Sequence, residues 1–319
     1  MELRRAGKTG LNISRIGLGT MTWGRDTDES EAAEQCRIYI EAGGNFIDTA
    51  AVYGSGDSER VISGLINTLF KRDEVVLATK AGISVNDGIR TVNTSRSFLL
   101  SELDASLKRL GTDYVDLWQV HTWDEGAPLD DTLSALDTAY QSGKARYVGV
   151  SNYAGWQIAR ASTKQELNSI KAPIATIQNE YSLLNRQIES EVLPACIEMD
   201  VGVLAWSPLG RGVLTSKYQN GIPSDSRGAS SHFANFIEGY LNERSMTIVE
   251  AVQVAADGLG YSPTEVALAW VRDAVGVTSA IVGARTSAQL RGALRAEEIM
   301  LPQIVREALD EISAISISN

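Results

Sequence analysis

The chain has 319 residues, 44% of them apolar, enough for a large buried core. Its 29 basic and 40 acidic residues give a formal net charge of −11. That balance argues against a general nucleic-acid surface but allows a local basic pocket for a phosphate. No run of about 18 uncharged apolar residues occurs, so no membrane span is expected. The opening MELRRAGKTGLNISRIGLG has no signal-peptide core. Cys36 and Cys196 lie far apart and in no metal or redox spacing. Both are expected to be buried thiols of a protein working in a reducing cytoplasm.

In chain order, the first 20 or so residues suggest a β-hairpin across one end of the fold. A helix follows over 31–41, stopped by Gly43-Gly44. The short apolar NFID comes next, then a helical pattern over 58–70 and the β-branched run VVLATK at 75–80. Residues 97–110 carry Leu99, Leu100, Leu103, Leu107 and Leu110 at helical spacing before Gly111. Strand-like runs recur at 114–121, 145–152, 174–181, 202–209 and 279–284. Helical patterns fill 130–142, 156–167, 188–199, 246–259, 263–273 and 287–296. About seven strands are clear; the eighth is expected near 275–277 or elsewhere. Residues 210–245 form a long irregular stretch, rich in Gly and Ser, expected to act as a loop or lid.

Short apolar strands alternating with helices imply parallel βαβ units. An open dinucleotide-binding sheet would need a G-x-G-x-x-G turn. Gly17-Leu18-Gly19 runs on into Thr20, Met21 and Thr22 and lacks the third glycine. The expectation is therefore an α/β chain forming one (β/α)8 TIM barrel over residues 1–319, with an N-terminal β-hairpin and a long loop on the C-terminal face.

In such a barrel, chemistry sits where the strands end. Here the strands end in Asp48, in Lys80, in His121, in Ser151 and Asn152, around Gln178, Asn179 and Tyr181, and in Trp206 and Ser207. Tyr53 follows Asp48 by five residues, and Arg285 and Thr286 follow the last strand. Singly, each has an ordinary explanation: a turn aspartate, a packing aromatic, a solvated lysine, a structural histidine. Together on one face they converge on a cavity. A phenol is a proton donor at neutral pH, and a nearby ammonium favours its phenolate. A carboxylate keeps that ammonium charged, and an imidazole can hold a substrate oxygen in line. This set delivers a proton to a carbonyl oxygen. It offers no nucleophile, paired carboxylates or metal cage, so a hydride cofactor is implied.

The stretches GLGTMTWG, NFIDTAAVYGSGDSE, LATK, YVDLWQVH, YVGVSNY, QNEYSLLNR, WSPLGRGVLTSKY and IVGARTSAQL together resemble the aldo-keto reductase superfamily, over about residues 1–310. The resemblance implies a (β/α)8 barrel binding NADP(H), with a catalytic tetrad mapping to Asp48, Tyr53, Lys80 and His121. By resemblance, Tyr53 donates the proton, Lys80 tunes its acidity, Asp48 holds Lys80 and His121 orients the substrate oxygen. Ser151, Asn152 and Gln178 would contact the nicotinamide carboxamide, and Tyr181 or Trp206 would flank its ring. Gly19, Thr20 and Met21 belong to the implied cofactor set. Ser207, Pro208, Leu209, Gly210, Gly212 and Lys217 would clasp the pyrophosphate. Gly283, Arg285, Thr286 and Gln289 match the adenosine end, where Arg285 offers a fork for a 2′-phosphate. Ala293 departs from the pattern, standing where an asparagine is common.

Trp23, Trp123 and the 210–245 loop are expected to line the substrate mouth, or else to pack as an ordinary barrel rim. An apolar, aromatic mouth suits neutral aldehydes or ketones, aromatic and sugar-like ones included; His232 is given no role. The alternative reading is a cofactor-sensing regulatory subunit with little turnover, as in members resembling this family that attach to potassium channels. A lyase or isomerase on the same barrel is disfavoured by Asp48 and Tyr53 at these spacings.

Overall fold

A computed structural model describes residues 1–167, 172–219, 221–223, 229 and 234–315. A small hairpin, β1 (Leu3–Arg5) with β2 (Asn12–Ser14), precedes barrel strand β3 (Ile16–Gly19). Then follow α1 (Glu29–Glu41), β4 (Phe46–Asp48), α2 (Asp57–Leu65) and β5 (Val76–Ala81). A second hairpin, β6 (Ile83–Asn86) with β7 (Ile89–Val92), leads into α3 (Arg96–Leu110), β8 (Val115–Val120) and α4 (Leu129–Gln141). The barrel continues through β9 (Ala145–Ser151), α5 (Gly155–Glu166), β10 (Ile174–Glu180), α6 (Val192–Glu198) and β11 (Gly202–Trp206). After α7 (Ala234–Glu238), α8 (Glu243–Leu259) and α9 (Pro263–Arg272) come β12 (Val277–Val282), α10 (Ser287–Leu294) and α11 (Gln303–Ile312).

Eight of these strands close into a parallel barrel in the order β10-β11-β12-β3-β4-β5-β8-β9. This is the (β/α)8 fold expected from the alternation. Local chemistry sets the helix starts. Asp28, Asn242, Ser262 and Thr286 each turn a side-chain oxygen onto the backbone N–H of the third residue onward. Pro263 follows Ser262 at the first turn of α9, where its missing N–H costs nothing. Gly111 and Gly260 end α3 and α8 in the left-handed region, at φ 64° and 73°.

The barrel interior is filled by Phe46, Ala78, Leu117, Leu204 and Ile281. Ala6, Leu11 and Ile13 of the hairpin join the same cluster. Lys8 N donates to Asp200 O, just before β11, at 2.9 Å. The hairpin thus plugs the N-terminal end of the barrel, and the opposite mouth is left for function.

Three expectations change. The eighth strand is β3, not 275–277. It pairs with β12 through Gly17 and Ile281 and with β4 through Leu18 and Ile47. A Cβ at Gly17 would lie 2.7 Å from the Phe46 ring, so close packing requires the glycine that weakens the strand pattern. Val277 only begins β12, after Gly276 at φ 85°. The helix expected over 58–70 stops at Leu65, because Ile66 is extended and Thr68 Oγ1 donates to the carbonyls of Gly64 and Leu65. The 210–245 stretch is not irregular throughout. It holds a 3-10 turn over Gly210–Thr215, then α7 and the start of α8. Part of it, with His232, lies outside the described residues.

Candidate active site

The tetrad expected from the sequence converges at the C-terminal mouth. Lys80 is fully buried, and its ammonium donates to Asp48 Oδ2 at 2.7 Å and to Thr49 O at 2.8 Å. Gln178 Nε2 donates to Asp48 Oδ1 at 2.9 Å, so the carboxylate on β4 binds neighbouring β5 on one side and β10 across the barrel on the other. Tyr53 reaches the mouth on a 3-10 turn, Tyr53–Gly56, in which Gly54, Ser55 and Gly56 all adopt positive φ. Its loop is docked on the strand end by Ala51 N donating to Lys80 O at 3.0 Å. Lys80 Nζ lies 5.2 Å from the Tyr53 ring centre, and the His121 ring stands edge-on to it at 5.9 Å.

Electrostatics follow from burial and from these contacts. Burial is the largest influence and works against the charge on Lys80, but the Asp48 carboxylate and the Tyr53 hydroxyl together offset it and raise Lys80 above the ordinary lysine range. Burial also raises the Tyr53 phenol above its usual value, while the Lys80 ammonium pulls it back down. The sequence suggests only the second effect; in the folded chain desolvation wins. Burial, then Lys80, then Arg90 hold His121 well below the usual histidine value. The imidazole is therefore neutral at pH 7, with one N–H to donate.

A cavity of about 760 Å³ opens above this group. Asp48, Tyr53 and His121 line it; Lys80 lies beneath its floor. Gly19, Thr20, Met21, Ser151, Asn152 and Gln178 are on the wall, as are Trp206, Ser207, Pro208, Leu209, Gly212 and Lys217. So are Gly283, Arg285, Gln289 and the departing Ala293. An amide and hydroxyl cluster is held rigid on one side. Ser151 Oγ donates to Gln178 O at 2.7 Å, and Asn152 Nδ2 donates to His121 O at 3.0 Å. Trp206 Nε1 donates to Asn152 Oδ1 at 3.1 Å, which turns the indole into the wall.

Ser207, Gly210, Arg211, Gly212 and Ser216 all take positive φ, bending the turn after β11 into a concave run of backbone. A Cβ on Gly212 would stand 3.2 Å from Lys217 Nζ, so the glycine admits the ammonium to the cradle. Further along, Gln289 Oε1 accepts from Arg285 N at 3.0 Å. The donor set thus runs from amides, through a cationic backbone cradle, to an arginine. That chemistry fits an extended dinucleotide with a pyrophosphate at its middle.

Several expected residues fall elsewhere. Trp23 is not at the mouth: it is fully buried behind α1, with Nε1 donating to Gln35 Oε1 at 3.1 Å. Trp123 is off the cavity wall as well, stacked edge-on against Tyr153 and Trp156 at 5.1 and 5.4 Å. Tyr181 is sealed in the core, its hydroxyl on Glu189 at 2.6 Å, so of the two it is Trp206 that faces the cavity. Thr286 is absent from the wall because its hydroxyl caps α10. Gly210 sits behind the wall, where a Cβ would meet Leu184 at 2.7 Å.

Other wall residues were not foreseen: Ile83, Val85 and Arg90 from the second hairpin, and Arg211, Phe236, Ser262 and Thr264. Arg211 is held by Glu180 at 2.9 and 2.7 Å and lies 3.9 Å over the Phe236 ring. Glu59, also missed, is fully buried on Thr79 Oγ1 at 2.6 Å and on Arg109. Arg109 packs against Gly56 and so supports the loop of Tyr53. The SE pair in YGSGDSE is the one sequence cue to that support: Ser58 also turns inward, its hydroxyl donating to Thr20 O at 2.9 Å.

The fold and the residues at its mouth define an α/β-barrel oxidoreductase. The chain belongs to the Aldo/keto reductase family, whose profile it matches over residues 15–314. It is 36% identical to the oxidoreductase YrpG of Bacillus subtilis, over 98% of this chain and 96% of that one. It is 35% identical to L-glyceraldehyde 3-phosphate reductase of Escherichia coli K12, covering 91% and 86% of the two. It is 33% identical to a probable voltage-gated potassium channel subunit beta of Oryza sativa, covering 99% and 96%. Among the described residues no helix is long and apolar enough to cross a membrane, and no group of three or more His, Cys, Asp or Glu is placed to hold a metal.

Proposed function

We propose that this chain reduces an aldehyde or ketone to the alcohol with NADPH, reversibly, with Tyr53 as the proton donor. The observation that carries this reading is the Tyr53–Lys80–Asp48 group beneath a cavity whose donors suit a dinucleotide phosphate. Ser151, Asn152 and Gln178 would hold the nicotinamide amide, with Trp206 beside the ring. Ser207, Leu209, Gly212 and Lys217 would hold the pyrophosphate, and Arg285 the 2′-phosphate. When bound, the nicotinamide supplies a hydride to the carbonyl carbon.

The chain's own part is to position the carbonyl and deliver the proton. The neutral His121 donates its N–H to the carbonyl oxygen and fixes it beside the phenol. As negative charge grows on that oxygen, Tyr53 gives up its proton to it. The Lys80 ammonium, held charged by Asp48, stabilises the phenolate left behind. A raised resting phenol suits a proton donor, because Tyr53 then stays protonated until the oxygen becomes basic.

Tyr53→Phe keeps the ring and removes only the acid. The expected result is a loss of about 10²–10⁴ in kcat for carbonyl reduction, with NADPH affinity within about threefold of the parent. Turnover near the parent level would sink the assigned donor.

A second reading is favoured by the similarity to the rice channel subunit: a cofactor-binding regulatory protein with little turnover. Tight NADPH binding with no absorbance loss at 340 nm across a broad panel of aldehydes and ketones would select it.

A further inference from the structure

The charged residues of the cavity are unequally engaged. Asp48 is taken up by Lys80 and Gln178, and Arg211 by both oxygens of Glu180. Lys217 folds over Gly212, and Arg285 stands at the start of α10, at the adenosine end. Arg90 differs from all of these. It sits on β7 opposite Val85 of β6, on a hairpin that rises from the end of β5, the strand bearing Lys80. Arg90, Ile83 and Val85 share the cavity wall with Tyr53 and His121. The Arg90 charge, after burial and Lys80, also disfavours a proton on the His121 imidazole. Among the described residues, no hydrogen bond or ion pair engages the Arg90 guanidinium.

Arg90 is exposed on β7, so its charge is open to a ligand entering the cavity, and no carboxylate among the described residues pairs with it. The carboxylate among the wall residues, Asp48, is already paired with Lys80. Hydrogen-bond donors on one side, with apolar Ile83 and Val85 around them, form a site for an anionic oxygen group linked to an apolar or short polar stem. We infer that Arg90 is a specificity-determining residue, binding a carboxylate or phosphate carried by the carbonyl substrate. This narrows the neutral substrates expected from the sequence and rests on the reductase reading above. The proton chemistry is unaltered: Arg90 fixes the far end of the substrate, while Tyr53 and His121 act on the carbonyl oxygen.

The test compares matched aldehydes with and without the anion: succinic semialdehyde against butanal, and glyceraldehyde 3-phosphate against glyceraldehyde. The parent protein should show a higher kcat/KM for the anionic member of at least one pair, and the pair identifies carboxylate or phosphate as the source. Arg90→Gln should lower the anionic-to-neutral ratio by about 10- to 100-fold, mainly through KM. Arg90→Glu should lower it further, and Arg90→Lys should keep it within about tenfold, since the charge remains but the fork is lost. Raising the salt concentration should shrink the parent's ratio. A ratio unmoved by Arg90→Glu, with the neutral aldehydes still reduced, overturns the role of Arg90 alone. Failure of every aldehyde to consume NADPH overturns both this inference and the reductase reading.

Discussion

Replacing Asp48 by Asn isolates the energetics of the buried ion pair. Both side chains are almost wholly buried, at 0% and 3% exposure, with Nζ 2.7 Å from Oδ2. Removing one partner of such a pair leaves the other charge buried and costs about 3–5 kcal/mol. Lys80 keeps Thr49 O at 2.8 Å, and an asparagine oxygen can still accept, so the low end, about 3 kcal/mol, is expected. Lys80→Met should cost a similar amount, because Asp48 would retain only Gln178. The double variant has no charge to strand, so the two losses should fail to add by about 2–3 kcal/mol.

The pH dependence gives a second, independent sign. In the parent, the folded Lys80 lies above its ordinary 10.5. Its contribution is therefore complete below that value and lost only as pH rises through the folded one. In Asp48→Asn, burial is opposed only by the Tyr53 hydroxyl and is expected to depress Lys80. The unfolded chain then binds the extra proton, so stability rises with pH across the window below 10.5. Urea unfolding followed by far-ultraviolet circular dichroism, at about pH 7 and about pH 9.5, measures both effects. Additive single losses, together with a variant no more stable at the higher pH, would refute the coupled pair.

Arg285→Ala should weaken NADPH far more than NADH, by about tenfold or more, in fluorescence titrations; equal losses would remove the 2′-phosphate contact. With His121 held well below 6.5, kcat/KM for an uncharged aldehyde should run level between about pH 6 and pH 8, and a histidine-like inflection near 6.5 would contradict a neutral imidazole. Burial pushes the Cys36 and Cys196 thiols up to about 12, so neither should react with iodoacetamide in the native protein at pH 8, while both react in urea.

The legibility of the sequence follows the physics of each element. Strands β5, β8 and β10, and β9 from Val148 on, are buried on both faces, so they read as largely apolar runs leading to a polar residue. That is why Lys80, His121, Ser151 and Gln178 can be placed from the amino-acid pattern alone. Strand β3 escaped because two of its four residues are glycines, each required by a neighbour: Phe46 beside Gly17 and Ile281 beside Gly19. The hairpin carrying Arg90 escaped because its second strand is mostly exposed and has no apolar period. Aromatics misled in the opposite way. Trp23 and Trp123 have the composition of a binding mouth, but what a large ring touches depends on packing between distant segments, and neither ring lines the cavity. Arg211 stands between Gly210 and Gly212, and its pairing with Glu180 links residues 31 apart, a contact that local spacing does not encode.

The bond from Gln178 to Asp48 joins β10 to β4, which stand four places apart in a ring of eight. It therefore lies along a diameter of the mouth and acts as a strut against ovalisation of the rim. Widening the mouth along that axis strips a buried carboxylate of a donor; narrowing it along the perpendicular axis does the same. Freedom to admit ligands is thus left to what stands above the rim: the hairpin of Arg90 and the turn from Gly210 to Thr215. Substrate range can change through those appendages while the ring below keeps one shape.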